Sequence, residues 1–364
     1  MNRAYKFRIY PNADQRVAFA KTFGCVRFIY NKMLSDKIDH YNQTGEMLVT
    51  TPAAYKSDYE FLKDVDSLAL ANAQLNLQTA YQNFFRDRSI GFPKFHSKKA
   101  RKNTYTTNNQ KGSIRIKDNQ IKLPKIGWVK VRMHRQIPTG SEIKSATISM
   151  TATGKYFISV LTEFFVMKPK KILNTENSIG LDYSSPHFYV DNLGNFADMP
   201  HFYRAAEQRL AKEQHRLSNM IKGSSNYYKQ KKYVAKIHEK VKNQRRDWQH
   251  KESRKLADHY DFVCVEDINY KGMAQTLRLA KATNDNAFGQ FRSFLSYKLA
   301  EQGKKLITIN KWFPSSKTCR YCGCINADLS ISDRQWICPS CSANINRDFN
   351  AALNIRNQGL ASLS

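Results

Sequence analysis

Ser178-Ile179-Gly180-Leu181-Asp182-Tyr183-Ser184 is a short apolar run closing on an acid, and Phe262-Val263-Cys264-Val265-Glu266-Asp267 repeats the arrangement further along. Brief runs rich in β-branched residues with an abrupt polar end read as buried strands. A third acid, Asp348, stands immediately before Phe349-Asn350-Ala351-Ala352-Leu353-Asn354-Ile355, a predicted helix. Carboxylates delivered by separate elements can converge on two divalent cations roughly 3.5 to 4 Å apart, one activating a water and the other stabilising a leaving oxygen. Hard oxygen ligands suit Mg²⁺ or Mn²⁺. Each acid alone also has an ordinary use, Asp348 as a helix cap and Asp182 as a turn residue. Glu266 and Asp267 compete for one place, because adjacent strand residues face opposite ways.

Working outward from these acids, five of the seven cysteines crowd between Cys319 and Cys341. Cys319-x-x-Cys322 and Cys338-x-x-Cys341 have the spacing of a four-thiolate zinc site, in which each tight turn supplies two ligands. Gly323 allows the turn after the first pair. Such a closed site leaves no open coordination position, so it is expected to be structural. Cys324 is a spare thiol beside it. Cys25 and Cys264 lie alone in apolar settings and read as core thiols.

The chain carries 59 Lys+Arg against 30 Asp+Glu, a net charge of +29. A compact fold with that excess repels itself, and nucleic acid is the polyanion that would neutralise it. No run is long and apolar enough for a membrane span, and Met1 to Tyr10 lacks an apolar leader core. A soluble cytoplasmic protein is expected, with no small-molecule substrate.

The amino-terminal part changes character several times. Residues 1–10 alternate as a strand. Pro11 breaks it, and Asn12 with Gln15 predicts a capping box opening a helix to about Lys37. Its apolar face is Val17, Phe19, Ala20, Phe23, Val26, Phe28 and Ile29. A second helix is expected from about Ala69 to Phe85. Gly91 to Asn108 interleaves basic, aromatic and hydroxyl residues, a pattern shared by nucleic-acid contacts and by solvated loops. From Ile114 to Phe165 the period becomes two, predicting a small β-barrel or curled sheet to which the first strand adds. A basic linker, Lys168 to Lys171, follows. Beyond it, residues from His187 and from Phe196 are expected to pair as a hairpin. Arg204 to Met220, Tyr227 to His259 and Ala287 to Gly303 read as helices, the first two with basic faces, and Lys305 to Asn310 as a strand.

Taken together, these motifs resemble one family. Ile179-Gly180-Leu181-Asp182, Val265-Glu266-Asp267-Ile268, Ser316-Lys317-Thr318-Cys319-x-x-Cys322-Gly323, Cys338-x-x-Cys341 and Asn346-Arg347-Asp348-x-Asn350-Ala351-Ala352 are similar in order to those of TnpB proteins. These are transposon-encoded relatives of the type V CRISPR effector nucleases. Lys6-Phe7-Arg8-Ile9-Tyr10-Pro11, Phe23-Gly24-Cys25-x-Arg27-x-x-Tyr30-Asn31 and Leu123-Pro124-Lys125-Ile126-Gly127 extend the likeness over nearly the whole chain.

The resemblance implies an α/β protein with an RNase H-like (RuvC) nuclease core at 172–318 and 342–364, interrupted by a zinc ribbon at 319–341. It implies a wedge β-barrel at 1–10 and 114–168 and a helical recognition lobe at 11–113. Asp182, Glu266 and Asp348 would be the catalytic, Mg-binding triad, which favours Glu266 over Asp267. Cys319, Cys322, Cys338 and Cys341 would hold zinc, and Arg347 would help position the scissile phosphate. Partners would be a noncoding guide RNA and double-stranded target DNA, with a short flanking motif read around Asn72, Asn76, Thr107 and Asn108. Base pairing would then supply specificity while the protein recognises backbone and A-form shape. One acidic constellation would cut both strands in turn. Tyr183-Ser184-Ser185-Pro186 departs from the Leu-Gly more common after the first aspartate. Two other functions remain: an RNase H-fold transposase acting without a guide, and a regulator that binds without cutting, against which the intact acids count.

Overall fold

The computed structural model describes residues 2–100, 103–165, 172–269, 272, 275, 280–330 and 332–363. The linker expected at Lys168 to Lys171, and Arg101 and Lys102 of the basic-aromatic stretch, lie outside the described residues. The chain divides into two units, Met1–Val166 and Met167–Ser364.

In the first unit, β1 (Asn2–Tyr10) leads into α1 (Ala13–Thr44), and α2 (Ser67–Arg86) follows. The capping box forms as expected: Asn12 accepts from the Gln15 backbone N–H, and the Gln15 side chain accepts from the Asn12 N–H. The helix runs past Lys37 and ends at Gly45 in the left-handed region. Then come β2 (Asn103–Asn108), β3 (Arg115–Lys117), β4 (Gln120–Leu123), β5 (Gly127–Arg132), β6 (Glu142–Met150) and β7 (Tyr156–Glu163).

These strands make one seven-stranded sheet in the order β2-β6-β7-β1-β5-β4-β3. The first strand lies between β7 and β5, so the helical section is an insertion into the sheet's sequence. Two differences from expectation follow. Asn103–Asn108 belongs to the sheet rather than to the helical section, because Tyr105 and Thr107 alternate inward. The sheet is also an open one, with β2 and β3 as its edges. Phe19 and Phe23 of α1 pack against Tyr105 on the inner face of β2.

The second unit is built on β8 (Ser178–Ser184), β9 (Phe188–Asp191), α3 (Phe202–Ser218), α4 (Ser225–His259), β10 (Phe262–Glu266), α5 (Ala280–Asn286), α6 (Phe288–Glu301), β11 (Lys305–Ile309), β12 (Gln335–Ile337), β13 (Asn344–Asn346) and α7 (Arg347–Ala361). Its main sheet has the order β11-β10-β8-β9, with β10 parallel to both β8 and β11. The hairpin expected across residues 191–195 forms briefly: Val190 bridges Phe196, the Asp191 N–H donates to the Asn195 carbonyl at 2.8 Å and the Ala197 N–H to the Tyr189 carbonyl at 3.1 Å, while the other side of β9 pairs along β8.

Side-chain alternation assigns the two faces of this sheet. Ile179, Leu181, Val263 and Val265 face the core that holds Leu256 of α4 and Phe291 and Leu295 of α6. Phe262, Cys264, Ile307 and Ile309 face Ile355 of α7 on the other side. The period of two then puts Gly180, Asp182 and Glu266 on the α7 face as well. Gly180 is what lets α7 approach: a Cβ there would overlap the Ala352 carbonyl oxygen and stand 2.8 Å from the Arg356 nitrogen. Helix backbone thus rests on strand backbone, and no side chain larger than hydrogen fits.

Gly180→Ala should therefore displace α7 rather than merely strain it. The expected cost is about 1–3 kcal/mol or more, as for other overpacked cores, read as a lowered melting temperature. A variant that melts with wild type would show that the helix does not press on this strand.

Candidate active site and metal centre

Parallel pairing of β10 on β8, with Val265 opposite Leu181, carries Glu266 alongside Asp182 at the strand ends. Asp182 is 9% exposed and lies inside β8, so it is no turn residue. Nor is Asp348 the helix cap. Asn346 takes that role by accepting from the Phe349 N–H at 3.0 Å, and Asp348 is left in the first turn of α7 with its carboxylate free for other partners. Glu266 accepts a short hydrogen bond from the Ser315 hydroxyl. Asp267, with 57% of its side chain exposed, pairs with Arg292 of α6 at 3.2 Å. Glu266 lies on the α7 face with Cys264, and Asp267, one residue past the end of β10, also borders the cavity beside Asp182.

Asp182 feels the charges of the other two acids. Burial, then the neighbouring Glu266 and Asp348 carboxylates, hold the Asp182 carboxyl well above the usual range, while Arg347 and Arg334 pull it back. Burial also raises Glu266, opposed by its bond from Ser315. Asp348 is gripped by two guanidiniums, Arg347 at 2.9 Å and Arg334 at 3.0 Å. Two buried acids with too little compensating charge form a donor set that fits a hard divalent cation. The carboxylates are not drawn to the close separation of the cysteine sulfurs described next. Asp182, Glu266 and Arg347 line an open cavity of about 760 Å³, together with Tyr183, Lys311 and Trp312.

Below this cavity the chain enters the cysteine cluster. The Sγ atoms of Cys319, Cys322, Cys338 and Cys341 lie within 4.8 Å of one another. Cys319 and Cys341 are 3.7 Å apart, Cys322 and Cys338 3.5 Å. A zinc–sulfur bond of about 2.3 Å in a tetrahedron requires sulfurs about 3.8 Å apart, so the spacing fits that ion. Gly323, at φ 75°, turns the first knuckle, and the Cys319 N–H reaches the Cys324 carbonyl at 2.8 Å. Cys324 thus serves the turn with its backbone, and its thiol is not among the four. Antiparallel β12 and β13 carry the second knuckle straight into α7, since Asn346 ends one and caps the other.

Sequence reading missed the groups that tie these parts together. Asn350 and Asn354 are one helical turn apart on α7, and each donates 2.7 Å to the Thr318 carbonyl; Asn354 also donates to the Ser315 carbonyl at 2.8 Å. Two amides at helical spacing amid Ala351, Ala352 and Ile355 were the available signal. Ser315 and Arg334 left none, because only the fold brings them to the acids. Of the residues expected to read a flanking motif, Asn76 is exposed, while Asn72 bonds the Leu68 carbonyl and approaches Asn108. Thr107 is fully buried and donates to Asp66, the cap of α2. Its hydroxyl is spent on joining strand to helix and cannot face a base.

Comparison with known proteins bears on this arrangement. A curated "Putative RNA-guided DNA endonuclease" of Streptomyces pristinaespiralis is 34% identical over 99% of this chain and 90% of its own length. The chain belongs to the TnpB (OrfB) family. Escherichia coli K12 has a relative named "Putative RNA-guided DNA endonuclease InsQ", 28% identical over 100% of this chain and 93% of its own. Family models match at residues 288–355 (Cas12f1-like, TNB domain), 159–277 (probable transposase) and 1–46 (helix-turn-helix domain). The last span forms here one strand and one unbroken helix. The Cas12f1 chain of a solved Cas12f1–sgRNA–target DNA complex shares the fold, with a TM-score of 0.63 over 98% of this chain and 99% of that one, at 13% identity.

Two outcomes are expected. Cys338→Ser should bring bound zinc, measured by elemental mass spectrometry, from near-stoichiometric to near zero, whereas Cys324→Ser should leave it unchanged. Equal loss in both would make Cys324 a ligand. In metal-free protein the raised Asp182 carboxyl holds its proton more tightly folded than unfolded. Its stabilising contribution is complete below the ordinary pKa of about 3.9 and is lost as pH rises through the raised folded value. The melting temperature of Asp182→Asn in chelator should therefore gain on wild type between about pH 4 and pH 7, and Mg²⁺ should narrow the gap. A difference independent of pH would remove burial as the cause.

Proposed function

We propose that this chain is an RNA-guided DNA endonuclease that hydrolyses phosphodiester bonds at one RuvC-type site made by Asp182, Glu266 and Asp348. The observation that carries the proposal is their common face: two parallel strand ends and the first turn of the helix packed over them. The family membership and the names of its relatives support the guided part of the reading.

The three carboxylates would hold Mg²⁺ or Mn²⁺, which when bound supplies a water acidic enough to attack and neutralises charge on the phosphate. The chain's own groups do the rest. Ser315 fixes Glu266 in one orientation at the wall of the open cavity. Arg334 and Arg347 are the cations nearest Asp348, and Arg347 lines the cavity where a scissile phosphate would lie. The closed four-thiolate site would hold zinc in a structural role, bracing the turn that launches α7. Guide RNA, derived from a transposon end, would pair with target DNA, and the excess positive charge of the chain would bind backbones of both. Asn76, Asn72 and Asn108 are the proposed readers of a short flanking motif.

Co-expression with the native genomic flank, sequencing of the bound RNA and a Mg²⁺ plasmid-cleavage assay test this. A discrete RNA ending in transposon-adjacent sequence, with cleavage of matching DNA, is expected. Asp182→Ala and Glu266→Ala should each lower cleavage by at least about 10³-fold, the scale of losing a principal electrostatic contributor, with RNA binding retained. Strand-transfer products from RNA-free protein would establish a transposase instead. Binding without cleavage in Mg²⁺ would establish a regulator.

A further inference from the structure

Between β11 and the first cysteine knuckle, Lys311-Trp312-Phe313-Pro314-Ser315 forms one wall of the active-site cavity. Its two adjacent aromatic rings are used oppositely. Phe313 packs into the core with Phe262, Ile309 and Ile355, while Trp312 stays 79% exposed. Tryptophan is mostly buried in folded chains, so a bare indole at a cavity mouth marks a recognition surface. The loop that carries it is pre-organised. The Trp312 N–H donates to the Asn310 side chain at 2.9 Å, and the Phe313 N–H to the Asn310 carbonyl at 3.1 Å. Ser315, three residues on, is pinned by Glu266 through its hydroxyl and by Asn354 through its carbonyl. The loop backbone that carries the indole is therefore held in fixed relation to Glu266 and Asn354.

Lys311 completes the chemistry. Its ammonium lies 4.9 Å from the Trp312 ring centroid, so a flat π-face and a cation sit together at the entrance. An unpaired nucleobase and the phosphate that follows it match that pair: the ring stacks on the base while the lysine meets the backbone. A paired duplex keeps its bases stacked on one another and offers no free face, so the fit is to single-stranded DNA.

We propose that Trp312 is a stacking platform for an unpaired base of the DNA strand entering the active site, with Lys311 holding the adjoining phosphate. The inference rests on the nuclease reading for its role in cutting, but not for binding. Trp312 touches the substrate without taking part in proton or metal chemistry, so its loss should act on substrate capture more than on turnover.

Two measurements on the full chain, with its co-purified RNA, test it. The first titrates oligothymidylate in chelator and follows tryptophan fluorescence, using wild type, Trp312→Phe and Trp312→Ala. Quenching is expected in wild type and should be lost in both variants, though Trp128, Trp248 and Trp336 remain. The second measures target cleavage in Mg²⁺. Trp312→Ala should raise KM roughly 5- to 100-fold, the range for one base–aromatic stack, with kcat changed far less. Trp312→Phe should stay near wild type. Undiminished quenching in Trp312→Phe, or an unchanged KM in Trp312→Ala, would overturn the proposal. Quenching specific to Trp312 in a wild-type protein that never cuts would sustain the platform and sink the nuclease reading.

Discussion

The contact of α7 with Gly180 is the constraint on which the rest of the second unit depends. Helix backbone meets strand backbone there, and the approach fixes both the height and the rotation of the helix over β8 and β10. The first turn of the helix then has one place to go, above the ends of those strands, and Asp348 goes with it. Its amide side chains, Asn350 and Asn354, reach from the same helix to the loop that carries Ser315. One packing decision thus orients all three acids, two directly and Glu266 through its serine.

The cysteine cluster enters the same chain of cause. Asn346 closes β13 and caps α7, so the ribbon and the helix share a residue. A metal that sets the knuckles also sets where the helix begins. This explains why a structural site with no open position stands next to the acids in sequence. The two clusters differ in ligand type, soft thiolates in the ribbon and hard carboxylate oxygens at the strand ends. Arg334, from the turn before β12, already spans them by reaching Asp348.

Electrostatics gives the site its bias. The chain is strongly basic, yet the candidate site gathers carboxylates, and Asp182 among them is buried. Desolvation and the neighbouring carboxylates favour the protonated form of Asp182. The first unit contributes differently. Its sheet and helices join through Asp66 and Thr107, a buried hydroxyl–carboxylate bond. Polar residues near that joint therefore divide into those that hold the unit together and those, such as Asn76, that face outward.

Much of this was legible in residues alone. The cysteine spacing defined the metal cluster because a CxxC turn constrains both thiols locally. The capping box at Asn12 and Gln15, and the alternation from Ile114 to Phe165, are local patterns of the same kind. The strands ending in Asp182 and Glu266 could be read because a buried strand is a continuous apolar run. Tertiary structure alone decided what depends on partners distant in sequence. It put Glu266 on the α7 face with Cys264, gave the expected barrel or curled sheet two edges at β2 and β3, and moved Asn103–Asn108 into the sheet. It withdrew Thr107 from the surface and gave Asp348 its two arginines. A sequence records which side chains a segment offers, but which face is buried is settled only when another element packs against it.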